Sequence, residues 1–275
     1  MNFRIISDSS CDIKEYPGVD FRIVPLKILT AGKEFVDDET MDIEEMLKTV
    51  RESNEKTGSS CPSIGDWMQH FDENDGIFLV TITSGLSGSY SSALQARDAY
   101  LEEHPNAHIA VFDSQQTGPG MLLIIERISE DIQKGMSFEE IEADVRAYQK
   151  NTYLLFTLHS VEHLAKNGRL NPLVAKGIGI LGIRIIAEAK EGVIHPLHNC
   201  RSFRKEVSIL FDEMVRKHYH GGKVRIAHCH NDGVATALKQ MLLDAFPQAD
   251  VLISTLGGLC SFYAQEEGVI IGCEI

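Results

Sequence analysis

The chain has 275 residues, enough to bury a sizeable core in one large or two modest domains. Its formal net charge of −14, with no basic run of five residues, argues against nucleic acid and anionic membrane surfaces, which demand basic patches. The opening Met-Asn-Phe-Arg-Ile-Ile-Ser-Asp lacks a signal-peptide apolar core, and the apolar stretch at 178–186 is too short, and too interrupted by Arg184, to span a bilayer. Six cysteines (11, 61, 200, 229, 260 and 273) show no Cys-x-x-Cys spacing, so reduced thiols and a cytoplasmic location are expected.

In chain order, residues 3–7 read as a strand, followed by the polar turn Asp8-Ser9-Ser10-Cys11-Asp12. A longer strand is expected over 21–29, a hairpin turn at Ala31-Gly32, and a strand over 33–36. A helix over 41–53 has Thr40 or Asp42 as its cap, and 57–61 reads as a polar loop. Pro62 and Ser63 open the next helix, with Asp66 completing an approximate capping box. Residues 76–82 form an apolar, β-branched run typical of a buried strand, and 89–101 suit a helix. A strand over 108–112 precedes helices over 119–134 and 137–149, separated by Gly135; Ser137 and Glu140 make a capping box.

This alternation implies a parallel, helix-covered sheet with ligands beyond the carboxyl ends of its strands. The loops at 8–12, 59–63 and 83–89 are expected to converge there. Beyond it come a strand over 153–158, a helix over 160–166 closed by Asn167-Gly168, and an antiparallel pair (184–190 and 193–197) around Glu191-Gly192. A helix (202–218), a strand (223–230), a helix (234–245) and strands at 251–254 and 269–273 complete the chain. The expected architecture is therefore α/β with two domains. Residues 1–151 form an N-terminal parallel-sheet domain and 152–275 a C-terminal α+β domain with a mixed sheet, with the ligand between them.

The stretch Thr83-Ser84-Gly85-Leu86-Ser87-Gly88-Ser89-Tyr90 lies where a strand turns into a helix. Unpaired N–H groups and the positive end of the helix dipole suit a small anion there. A plain helix cap by Ser87 or Ser89 explains the serines equally well. Neither P-loop nor nucleophile-elbow spacing is present, and few cations lie nearby in sequence, so a carboxylate fits better than a polyphosphate.

Two other patterns and one other function class carry less weight. His159-x-x-Glu162-His163 matches an inverzincin motif, but the preceding strand leaves little helix for the pair. His228 and His230, with Asp232 nearby, share a strand face and offer a second metal reading. A hydrolase or phosphometabolite enzyme using the same Ser/Gly pocket is the alternative from another class. No sequence-local base for Ser87 supports it.

Taken together, the motifs resemble the DegV family of bacterial fatty-acid-binding proteins. The opening Ile5 to Asp12, the loop Ser59-Ser60-Cys61-Pro62-Ser63 and the stretch Ser84 to Tyr90 carry the resemblance, joined by Asp113-Ser114, Leu164 to Leu170 and Arg201. Ser59 stands at the Thr and Cys61 at the Gln of the family's Thr-Ser-Gln-Pro-Ser loop, and Asn167 at the first Gly of its Gly-Gly-Arg-Ile.

The resemblance implies a two-domain, non-catalytic carrier needing no cofactor or metal, with one fatty acid buried between the domains. It implies a carboxylate held by Ser59 and Ser87, with Ser60, Gly88, Ser89 and Thr255 close by. Gly168, Arg169 and Arg201 are expected at the pocket mouth or facing a partner. That partner, by resemblance, is a separate kinase that phosphorylates the acyl carboxylate. Thr255 stands where family members often carry an assisting histidine.

Overall fold

A computed structural model describes residues 2–30, 32–53, 55–72, 76–170 and 183–275. Ala31 of the expected turn and residues 178–182 of the apolar stretch lie outside them.

Four strands, β1 (Phe3–Asp8), β2 (Asp20–Val24), β6 (Gly76–Thr81) and β7 (Ile109–Asp113), form a parallel sheet in the order β2-β1-β6-β7. β1 and β6 are buried along their whole length, which explains their unbroken apolar character. One face packs on α2 (Ile64–Met68) and α3 (Ser89–Glu103) through Ile6, Leu79, Trp67 and Ala93. Ser63 and Asp66 close the expected capping box on α2.

A three-stranded antiparallel sheet follows a break in the expected strand at 21–29. The chain leaves β2 at Val24 and re-enters as β3 (Lys27–Thr30), paired with β4 (Lys33–Val36). Pro25, which lacks an N–H, lies in the interruption and cannot donate to a ladder. The expected loop at 57–61 contains a short strand, β5 (Gly58–Ser60), whose Ser59 lies opposite Ile28. Between β4 and β5 runs α1 (Ile43–Glu52), capped by Asp42 rather than Thr40.

The later strands form a six-stranded mixed sheet. They are β8 (Thr152–Leu158), β9 (Arg184–Lys190), β10 (Val193–Cys200), β11 (Lys223–His228), β12 (Asp250–Thr255) and β13 (Val269–Glu274), in the order β10-β9-β8-β13-β11-β12. All neighbours are antiparallel except β11 and β12. The β9–β10 hairpin turns at Glu191 and Gly192, both at positive φ (52° and 77°), which matches strand twist in a two-residue turn.

Along β8 the side chains alternate. Tyr153 and Leu155 face α7 (Phe203–Arg216) and α8 (Asp232–Ala245), while Leu154, Phe156 and Leu158 face the other core. Helix α4 (Pro119–Gln133) touches β1 and β6 of the parallel sheet and β8, β11 and β13 of the mixed sheet, so it is packed between the two. α5 (Phe138–Tyr148) lies beside it, opened by the Ser137–Glu140 capping box. α6 (Glu162–Lys166) starts two residues later than expected.

One helix carries no sequence signal. Gly258–Ala264 forms α9, and the Asp37 carboxylate accepts from the N–H groups of Gly258 (3.2 Å) and Leu259 (3.1 Å) at its start. Lys14 pairs with the same carboxylate at 2.8 Å. Seven residues are too few to show a helical period, and the cap comes from a residue more than two hundred positions away.

Candidate functional site

The three expected loops do converge. The buried Asp8, at the end of β1, accepts from the Ile82 N–H (2.9 Å) and the Ser89 hydroxyl (2.6 Å), and from both the backbone and hydroxyl of Ser10. Burial nonetheless pushes its carboxyl above the ordinary value. Asp8 thus pins the Ser/Gly stretch at both ends. The expected capping by Ser89 is corrected here. Gly88 is the N-cap of α3 and makes no side-chain cap bond, because the fully buried Ser89 hydroxyl is committed to Asp8. Ser87 Oγ instead accepts the Ser89 N–H at 3.2 Å, which leaves its own proton available for another acceptor.

Close contacts fix what surrounds this stretch. A Cβ on Gly85 would stand 2.5 Å from the Gly192 carbonyl, so only glycine lets the β9–β10 turn seat against it. Thr83 Oγ1 donates to that same carbonyl at 2.8 Å. A Cβ on Gly88 would meet Cys61 Sγ at 3.2 Å, and one on Gly58 would meet Asn167 Oδ1 at 3.3 Å. The loop at 58–61 is therefore flanked by the Ser/Gly stretch on one side and the 167–169 turn on the other.

Between these parts lies a cavity of about 290 Å³. Leu154, Phe156 and Leu158 of β8 line it along one face, with Ala189, Ile194 and Ile270 from neighbouring strands. Leu164 of α6 and Leu259 of α9 add further apolar surface. The polar lining includes Ser59, Ser60, Ser87, Gly88, Arg169 and Tyr263. Ser59 Oγ and Tyr263 Oη are 2.7 Å apart. Arg169 lies over the Tyr263 ring at 6.0 Å, and its Nε donates to the Leu86 carbonyl at 3.2 Å.

A family profile described as "Uncharacterised protein, DegV family" matches residues 2–272. The chain belongs to the DegV family. A DegV domain-containing protein of Streptococcus pneumoniae is 41% identical over 280 residues, covering the whole of both chains. Two solved DegV relatives superpose closely. One is a DegV family protein from Eubacterium eligens loaded with heptadecanoic acid (TM-score 0.96, 41% identity, 99% of each chain covered). The other is the Streptococcus pneumoniae Fatty Acid Kinase (Fak) B3 protein loaded with linoleic acid (TM-score 0.97, 40% identity, 100% of each chain covered).

Not every expected residue of this DegV chain reaches the cavity. Thr255 ends the edge strand β12, is exposed and does not line it. The chain turns after β12 to enter α9, so the hydroxyl from this segment that reaches the cavity is that of Tyr263, eight residues on. Nothing in the local sequence marks α9, so no sequence pattern points to Tyr263. Gly168 and Arg201, expected at the pocket mouth or facing a partner, are exposed and lie outside the cavity lining, and the Arg201 carbonyl accepts from Arg184.

The histidine pairs also separate. His159 Nδ1 pairs with Glu267 and its Nε2 accepts from Arg184, whereas the His163 ring packs edge-on against Phe262. β11 ends at His228, and His230 follows in a left-handed conformation (φ 53°), so these two rings do not share a strand face. Among the described residues no helix is long and apolar enough to cross a membrane.

Asp12, beside this region, yields a pH prediction. Both its carboxylate oxygens are buried, within 2.8 Å of where a Cβ on Gly118 or Gly257 would stand. Burial, reinforced by the Asp37 charge, pushes its carboxyl up to about 8. A carboxyl raised on folding stays protonated while the unfolded chain ionises, so it costs stability increasingly from about pH 4 to about pH 8. Asp12→Asn keeps the shape and tolerates the left-handed backbone (φ 62°). It is expected to raise the melting temperature at pH 8.5 and to gain much less at pH 5. A gain independent of pH would refute this account.

Proposed function

We propose that this chain binds one long-chain fatty acid, its tail in the cavity and its carboxylate held by Ser59 and Ser87, and presents it to a separate kinase. The observation that carries this reading is an apolar cavity whose polar lining includes the paired hydroxyls of Ser59 and Tyr263 and the Ser87 hydroxyl. Relatives at 40% and 41% identity hold linoleic and heptadecanoic acid, and one of them is a fatty acid kinase B3 protein. We further propose that residues 1–151 and 152–275 act as the two units enclosing the ligand, that the chain does not itself perform the chemistry, and that it works in the cytoplasm.

The energetics suit a carrier. Burying an acyl tail contributes about 0.8 kcal/mol per methylene, roughly ten in total for a long chain. A hydrogen bond to a charged group contributes about 1.5–3 kcal/mol. The tail supplies affinity and the hydroxyls orient the carboxylate, a division appropriate to presentation. The hydrolase alternative gains no support, since among the described residues no histidine lines the cavity.

Organic extraction of protein purified without added lipid, followed by mass spectrometry, tests the proposal. A long-chain fatty acid near one equivalent is expected; an empty protein that also rejects added fatty acids would sink it. Ser87→Ala is expected to weaken binding by about tenfold, the equivalent of one charged hydrogen bond, in a titration with fluorescent fatty acid. Unchanged affinity would remove Ser87 from the carboxylate site.

A further inference from the structure

Outside the cavity, a second group of ligating side chains meets where β11 ends. The Cys229 N–H donates to the Gly268 carbonyl (2.9 Å), and the Glu267 N–H donates back to the Cys229 carbonyl (2.8 Å). Asn231 Nδ2 adds a bond to the Glu267 carbonyl at 2.8 Å. These bonds fasten the turn at 229–231 to the turn after α9, bringing Cys229, His230 and Glu266 together. One donor atom from each of the three lies within 4.8 Å of the others.

We propose that Cys229, His230 and Glu266 bind a zinc ion. Thiolate, imidazole and carboxylate are all zinc donors, and the mixture of sulfur and nitrogen selects zinc over magnesium or calcium. Zinc–sulfur and zinc–nitrogen bonds of about 2.3 and 2.0 Å bring ligand atoms roughly 3.5 Å apart, so rotation about side-chain bonds by an ångström or so closes the set.

The imidazole is already oriented as a ligand would be. His230 Nε2 lies 2.7 Å from Glu44 Oε1 on α1, and Nδ1 lies 2.7 Å from Glu266 Oε2. A metal-bound histidine characteristically gives its other N–H to a carboxylate. Glu44 therefore holds Nε2–H while Nδ1 faces the metal position beside Glu266. Binding forms bonds to Sγ, Nδ1 and a Glu266 oxygen and releases the thiol and Nδ1 protons to solvent. Water completes the tetrahedron. The ion would tie the turn after β11 to the residues just past α9, three positions beyond Tyr263, which gives it a structural role.

The test uses the full chain, stripped with chelator and dialysed against ZnCl2, with metal measured by elemental analysis. One zinc per chain is expected, with a melting temperature that rises on zinc addition. His230→Ala should lose the ion, and Glu44→Gln should weaken it by about 10–100-fold. With Co2+ as the probe, a sulfur-to-cobalt charge-transfer band should appear in the near ultraviolet and vanish in Cys229→Ser. Zinc retention by His230→Ala equal to that of the parent protein, or a cobalt–sulfur band that survives Cys229→Ser, would overturn the proposal. So would a stripped protein that takes up no zinc.

Discussion

Ala189→Trp is expected to empty the protein of lipid while leaving it folded. Ala189 is half-buried on β9 and lines the cavity, so a larger side chain there enters the cavity. An indole displacing about five methylenes removes roughly 4 kcal/mol of tail burial, about a thousandfold in affinity. Ser59 and Ser87 would be untouched. Mass spectrometry of the extracted variant should find little fatty acid, with circular dichroism and melting close to those of the parent. A full lipid complement in a well-folded variant would mean that the tail lies elsewhere.

Glu126→Ala is expected to destabilise the fold by about 3 kcal/mol, toward the lower end for breaking a buried ion pair. Glu126 on α4 receives Nε and Nη2 of Arg225 on β11 at 2.7 and 2.9 Å, and both residues are buried. The pair joins the helix between the sheets to the mixed sheet. Removing the carboxylate leaves Arg225 with Asp250, at 2.7 Å, and two backbone carbonyls, which moderates the loss. Urea unfolding should show a lower midpoint at an unchanged slope. Replacing both partners by apolar residues of similar volume, Glu126→Leu with Arg225→Met, should recover most of the stability. A double variant no better than the single one would show that the charges contribute more than their pairing.

These two predictions rest on different kinds of knowledge. The cavity wall follows from alternation along β8, and the residues at 153–158 already read as a strand. Glu126 gives no such signal. In sequence it is one acid on an amphipathic helix, and its partner is 99 residues away. The same contrast runs through the site. Ser59 and Ser87 were legible from motifs with distinctive residue types, whereas Tyr263 belongs to a helix too short to show a period. Motif position puts Thr255 at the ligand, but the end of β12 leaves it exposed.

By itself the sequence determined the alternation of strands and helices, the parallel sheet of the first half, the hairpin at Glu191-Gly192 and the Ser/Gly turn ahead of α3. Each depends on local rules: side-chain period, positive φ at tight turns, and capping chemistry within a few residues. Only the tertiary structure decided what those elements face. It placed the segments before and after Pro25 in different sheets, turned 58–60 into a strand by pairing it with β3, and built α9 on a carboxylate from Asp37. It also drew the Ser89 hydroxyl away from capping to Asp8, and set His230 between Glu44 and Glu266. All of these are contacts between residues far apart in the chain, whose geometry depends on packing that no local pattern encodes.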